Sequence, residues 1–213
     1  CHIRIYNIAS KLFHDSCGFT SKIDLQYFNN YIATKNFSEN NMLNFDEAKP
    51  EKFFIQDNRL VLMGAIIGDI VGSPYEFLGA KLKKFPLFTN CCRFTDDTVI
   101  TCAIAQSILD CNGDYTNLDK ITIVNMHEIG KHYYETAGYG GMFYDWLILG
   151  STKPYNSFGN GSAMRISAIP YVAKNLEEVK ELSRKVTEIT HNHPEGIKGA
   201  EATAVAEWMA LNG

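Results

Sequence analysis

Apolar residues recur at helical rather than alternating intervals from Met63 to the end of the chain, and this period limits the possible fold more than any other feature. Residues 63–71 read as a short helix. Residues 95–109 place Val99, Cys102, Ala103, Gln106, Ile108 and Leu109 at mostly apolar helical spacing. Residues 118–137 form an amphipathic candidate through Ile121, Val124, Ile129 and Tyr133, and residues 176–189 form another through Val179, Leu182, Val186 and Ile189. A last helix, rich in Ala, Glu and Lys, is expected over residues 196–211, opening after Pro194. Strand signals are weak, so the expected fold is all-α.

A chain of 213 residues, 46% of them hydrophobic, can bury a substantial core as one domain or as one domain with an extension. The boundary is expected near Met63. Before it, Asn29-Asn30, Asn40-Asn41 and residues 44–50 interrupt every periodic segment, so residues 1–62 read as an extension of unassigned role, outside the domain of residues 63–213. With 20 Lys and Arg against 24 Asp and Glu, the chain is mildly acidic and has no basic block to neutralise a row of phosphates, which argues against nucleic acid as a partner. The longest apolar stretch, residues 60–68, ends at Asp69 and is too short to span a bilayer, and residues 1–20 lack the apolar segment of a signal peptide. A cytoplasmic protein is expected, with no membrane contact. The six cysteines include no Cys-x-x-Cys pair, and adjacent Cys91 and Cys92 would bridge only with strain, so reduced thiols are expected, with Cys102 packed as a small hydrophobe. No ligand spacing supports a zinc site using Cys with His191 and His193.

Four clusters invite chemistry. Arg93-Phe94-Thr95-Asp96-Asp97-Thr98 packs a hydroxyl and two adjacent carboxylates just before an apolar helix, a compact oxygen supply suited to magnesium, although a helix cap accounts for the same residues. Asp69 and Glu76 are seven residues apart, about two helical turns, but Pro74 between them should end or kink the helix and leave Glu76 on a turn. Gly159, Asn160, Gly161, Ser162, Ala163, Met164 and Arg165 form a glycine-rich loop that reads as opening a helix, suited to a phosphate, with Arg165 either reaching an anion or serving as an internal partner for a carboxylate. Thr190-His191-Asn192-His193-Pro194 joins two helical segments, and only one of its histidines is expected to face a pocket. The run Ala137-Gly138-Tyr139-Gly140-Gly141 reads as too flexible for a scaffold and as a loop over a site.

Taken in order and with their separations, these clusters resemble the ADP-ribosylglycohydrolase family, and are similar to the glycohydrolases that reverse ADP-ribosylation of dinitrogenase reductase. The resemblance runs from Met63 to Gly213 and rests on Gly-Asp-Ile-Val-Gly-Ser-Pro-Tyr-Glu at 68–76, Thr-Asp-Asp-Thr at 95–98, Gly-Asn-Gly-Ser-Ala-Met-Arg at 159–165 and Thr-His-Asn-His-Pro-Glu-Gly at 190–196. It implies an orthogonal helical bundle around a cleft holding two magnesium or manganese ions. It also implies a hydrolase of the glycosidic bond between ADP-ribose and a modified protein or other derivative. By position, Thr95, Asp96 and Asp97 match the family's metal ligands, Glu76 matches an acidic residue working beside them, residues 159–165 match the phosphate-cradling loop, and His191 matches a ligand-facing histidine. Glu76 or Asp97 would accept a proton during hydrolysis. Nothing carries over to His193. Family members also bring a late Asp-x-Asp-Thr segment to the metal site, which is absent from this sequence, so the domain is expected to be truncated at its C-terminal side and inactive alone. Some relatives act as lens crystallins, which leaves a non-catalytic or ADP-ribose-binding protein as the alternative.

Overall fold

The computed structural model describes residues 62–76, 85–86 and 88–213. The extension expected over residues 1–62 therefore lies outside the described residues apart from Leu62, as do Cys1 and Cys17. Among the described residues there are six α-helices and no strand, as the sequence period requires: α1 (Met63–Gly72), α2 (Asp96–Asp110), α3 (Leu118–His132), α4 (Gly141–Ile148), α5 (Leu176–Glu188) and α6 (Pro194–Asn212). None of these is long and apolar enough to cross a membrane. The chain forms two compact units, one ending at Phe94 and one running Thr95–Gly213.

In the first unit, α1 buries Ile66 and ends where Pro74 removes a backbone donor. The Ser73 hydroxyl closes this end by donating to the Ile70 carbonyl (3.0 Å) and accepting from the Arg93 N–H (3.1 Å). Tyr75 and Glu76 lie on the turn that follows.

In the second unit, α2 is the central element. Every residue from 98 to 105 is buried, so this helix has no solvent face through its middle. The expected outward drift appears only at its end, where Leu109, placed by spacing on the apolar side, is 62% exposed. Cys102 is fully enclosed, and burial pushes its thiol up to about 12. Cys91, Cys92, Cys102 and Cys111 are all unbridged, in line with the sequence.

Helix α3 packs along α2 with a different face from the expected one. Leu118, Thr122, Asn125, Met126 and Ile129 point inward, whereas Val124 is 54% exposed. The cause is polar: Asn125 Nδ2 donates to Ser107 Oγ (3.2 Å) and to Asp110 Oδ2 (2.9 Å) on α2, so a residue that reads as outward is held inside. The helix also stops at His132 rather than continuing to Ala137, because the chain tightens into a turn (Ala137 N–H to Tyr133 carbonyl, 2.9 Å) ahead of Gly138 at φ +83°.

Helices α5 and α6 pair closely. Val179, Leu182 and Val186 form the inward stripe of α5, while Ala200 and Ala204 are the buried residues of α6 beside Gly196. Burial of each larger aliphatic side chain contributes roughly 1.5–3 kcal/mol, against about 1 kcal/mol for a helix cap, so packing fixes these helices and caps fix their ends. Asn175 caps α5 by accepting from the Glu178 N–H (3.0 Å). Pro194 occupies the start of α6 and His193 Nδ1 accepts from the Glu195 N–H (3.2 Å), which gives His193 a capping role.

Candidate active site

Thr95, Asp96 and Asp97 stand at the start of the buried helix α2. Thr95 is extended (φ −125°, ψ −164°), and its hydroxyl accepts from the Asp97 N–H at 3.4 Å, a long capping bond. Asp96 and Asp97 occupy the first turn, where the helix dipole favours carboxylates, and both are half-buried. All three side chains offer oxygen. Among the described residues, no three or more His, Cys, Asp or Glu side chains gather as a metal-binding group. Two carboxylates and a hydroxyl nevertheless match the needs of magnesium, which takes one or two carboxylates and keeps several waters.

The run Ala137-Gly138-Tyr139-Gly140-Gly141 is fastened to this helix start. Asp96 donates its N–H to the Ala137 carbonyl (2.9 Å), Ala137 is buried, and Tyr139 Oη donates to the Gly130 carbonyl (3.0 Å). The Tyr139 phenol is pushed up, first by burial and then by the charge of Asp96, so it stays protonated. The segment thus serves as a support for the acidic turn, contrary to the flexibility its glycines suggest.

Residues 159–165 adopt a short turn rather than the start of a helix. Only Asn160–Ser162 is helical, as a 3-10 turn closed by the Ala163 N–H on the Asn160 carbonyl (2.9 Å). No α-helix follows until Leu176, and Pro170 within the next turn, Ile169–Tyr171, lacks the N–H that would propagate one. The N–H groups of Asn160 and Gly161 open the 3-10 turn, which supplies them no acceptor of its own.

This turn is laid against residues 190–196. Tyr155 N–H donates to the Thr190 carbonyl (3.3 Å), Asn156 N–H to Asn192 Oδ1 (2.8 Å), and Ser162 Oγ to the Gly196 carbonyl (2.9 Å). Two glycines make the fit. A Cβ on Gly161 would lie 3.1 Å from Nε2 of His191, and one on Gly196 would lie 2.8 Å from the Ser157 carbonyl oxygen. Thr101 Oγ1 on α2 donates to the Met164 carbonyl (3.3 Å), which ties the end of the turn to the helix carrying Asp96 and Asp97.

Arg165 points inward, not to the surface. It is 1% exposed, and its Nη2 donates to the Val186 carbonyl (3.1 Å) and to Thr190 Oγ1 (2.7 Å). No carboxylate among the described residues pairs with it; the negative end of α5, where the Val186 carbonyl lacks a helical partner, stabilises the cation instead. Burial lowers the guanidinium to about 10, which leaves it charged at neutral pH. Arg165 is thus internal, but its partners are a carbonyl and a hydroxyl rather than the carboxylate expected. His191 is also buried, and burial followed by the Arg165 charge lowers it to about 3, so it is a neutral imidazole.

Glu76 is exposed on its turn and Asp69 is half-buried on α1, both in the unit that ends at Phe94. Two residues bearing on the site were not singled out in the sequence. Thr190, beside His191 in a motif already noticed, had a signal; Tyr155, thirty-five residues earlier, had none.

The ADP-ribosylglycohydrolase family model matches residues 56–213. Among curated proteins, the chain is similar to ADP-ribosylhydrolase ARH3 of Mus musculus, 28% identical over 184 residues, with 71% of this chain and 48% of that protein covered. The Homo sapiens protein of the same name is 28% identical over 184 residues, with 71% and 49% covered, and that of Gallus gallus is 25% identical over 187 residues, with 71% and 49% covered. The chain spans about half the length of the curated relatives it matches. A match over this much of the chain carries the same assignment as the four clusters: the chain belongs to the ADP-ribosylglycohydrolase family.

Proposed function

We propose that this protein hydrolyses the glycosidic bond joining ADP-ribose to a modified protein or related derivative, reversing ADP-ribosylation. The observation that carries this reading is the glycine turn at Asn160–Ser162 seated on His191, with Gly161 leaving room for the imidazole. Its opening N–H groups suit the diphosphate, and binding energy gained there positions the distant sugar for reaction.

In the same proposal, Thr95, Asp96 and Asp97 hold magnesium or manganese, with two ions in the complete site. Bound metal would supply Lewis acidity and a water of lowered pKa. Cleavage at the anomeric carbon develops oxocarbenium character, and the attacking water must lose a proton to a carboxylate. We assign that role to Asp97, with Glu76 as the alternative, and the two are distinguished by substituting each in turn. A cytoplasmic location and an ADP-ribosylated protein as partner belong to the same reading.

The test is release of free ADP-ribose from a mono-ADP-ribosylated protein on incubation with magnesium and a form of this chain extended to the length of the relatives it matches. Time-dependent release supports hydrolysis. Saturable ADP-ribose binding with no release would instead support the binding-module alternative, and neither binding nor release would overturn the proposal.

A further inference from the structure

Among the described residues, two other than glycine have a left-handed backbone: Asn112 at φ +46° and Asn156 at φ +54°. Asn112 follows the C-cap of α2, where a helix commonly ends in this conformation, and its N–H donates to the Leu109 carbonyl of the last helical turn (3.1 Å). Asn156 ends no helix, since α4 stops at Ile148 and no α-helix follows until Leu176. Its N–H instead donates to the side chain of Asn192, whose Oδ1 lies 2.8 Å away. Both asparagines are exposed, so this bond is not demanded by a buried core. What it does fix is the chain entering the glycine turn. Ser157, the next residue, accepts the Gly159 N–H on its hydroxyl (3.2 Å), and Gly159 is the extended residue (φ −66°, ψ 168°) from which the Asn160–Ser162 turn starts.

We propose that Asn192 is a positioning residue: its side-chain carbonyl holds Asn156 in the left-handed conformation and thereby sets the approach of the glycine turn to its ligand. The left-handed region is sterically unfavourable for a residue with a Cβ, and asparagine tolerates it better than most. The two asparagines therefore have separate tasks, one adopting the conformation and the other holding it. Asn192 is also the neighbour of His191, whose Nε2 lies 3.1 Å from a Cβ placed on Gly161, so the same short segment fixes the turn at its entry and supports it from behind. Without the side-chain carbonyl, Asn156 is released to the commoner negative φ values, and Ser157 and Gly159 move with it. The fraction of molecules with a correctly placed turn then falls, and apparent affinity falls by that fraction.

This inference rests on the reading that the turn binds ADP-ribose, and two readouts on the chain extended to the length of its relatives keep the two apart. The first is the nuclear Overhauser effect between the amide proton and Hα of Asn156, which is strong when φ is positive and weak in extended backbone. The second is ADP-ribose affinity by calorimetry. The wild type should give the strong signal. Asn192→Ala should give a weak one and bind ADP-ribose roughly three- to tenfold less tightly, with an unchanged thermal midpoint. Asn192→Asp, which keeps an acceptor for the Asn156 N–H, should retain the strong signal. Asn156→Val, kept out of the left-handed region by its branched Cβ, should lose affinity as Asn192→Ala does, and combining the two should cost nothing further. A strong signal that persists in Asn192→Ala would overturn the hold on Asn156, and a weakened signal with unchanged ADP-ribose affinity would overturn the positioning role. If the wild type binds no ADP-ribose, the proposed ligand falls, while the signal at Asn156 still decides whether Asn192 sets its conformation.

Discussion

Thr95, Asp96 and Asp97 are consecutive, and the helix they begin sets their geometry; Gly161 and His191 are thirty residues apart and meet only because two loops are stitched together by Asn192, Ser162 and Gly196. The first region presents charge at the end of a helix whose middle is wholly buried. The second presents shape, with room left by missing side chains and donors fixed by neighbours. Substitutions should separate the two: loss of charge at the helix start removes chemistry while sparing the fold, whereas added bulk at the loops removes binding and strains the fold together.

The largest effect is expected from Asp97→Asn, which keeps the shape of the helix start but removes the carboxylate proposed as base and metal ligand. Turnover should fall by roughly 10²–10⁴-fold with little change in thermal midpoint. An equal loss in Glu76→Gln with Asp97→Asn left active would transfer the role of base to Glu76.

Gly196→Val should come next, because its Cβ would meet the backbone oxygen of Ser157 at 2.8 Å and the Cβ of His191 at 3.3 Å, and backbone cannot step aside cheaply. A loss of about 1–3 kcal/mol in denaturant unfolding is expected, together with loss of ADP-ribose binding. Unfolding at the wild-type midpoint would show that the loops do not depend on this close approach.

The contrast between these regions also separates what was legible in the sequence from what was not. Helix periods, the cap at Thr95 and the acidic first turn lie within a few consecutive residues, and each could be read directly. The inward face of α3 could not, since Asn125 is buried only by virtue of Ser107 and Asp110 on another helix. The glycine run was recognisable, but its placement depends on contacts with residues 190–196. Arg165 was left between two roles because nothing local reveals that the end of α5 lies behind it. Tyr155 was missed for the same reason: its contact with His191 (ring centroids 5.9 Å apart) exists only after folding.

Acid should test the second region through His191, by comparison with a variant that lacks the imidazole. His191 is lowered from 6.5 to about 3, so between those values the unfolded chain takes up a proton that the native protein refuses. Its stabilising contribution is complete above about pH 6.5 and is lost progressively as the pH falls towards 3. Unfolding measured across that window should show a shallower acid slope in His191→Asn, and an identical slope would mean that His191 is not held neutral.

The smallest effect serves as the control. Asn175→Ala removes the cap of α5 at the end of that helix opposite Val186, and should cost about 1 kcal/mol of stability with substrate kinetics unchanged. A change in KM there would mean that general loosening mimics the loop effects.

The most direct measurement titrates magnesium against the rate of ADP-ribose release by the chain extended to the length of its relatives, as wild type and as Gly161→Val. Wild-type turnover should rise with magnesium and vanish in excess chelator. Gly161→Val, with its branched side chain forced against His191, should raise KM roughly tenfold and leave the magnesium midpoint unchanged. Full turnover in chelator would contradict the metal role of Thr95, Asp96 and Asp97, and an unchanged KM in a folded Gly161→Val protein would contradict the assignment of the glycine turn to ADP-ribose.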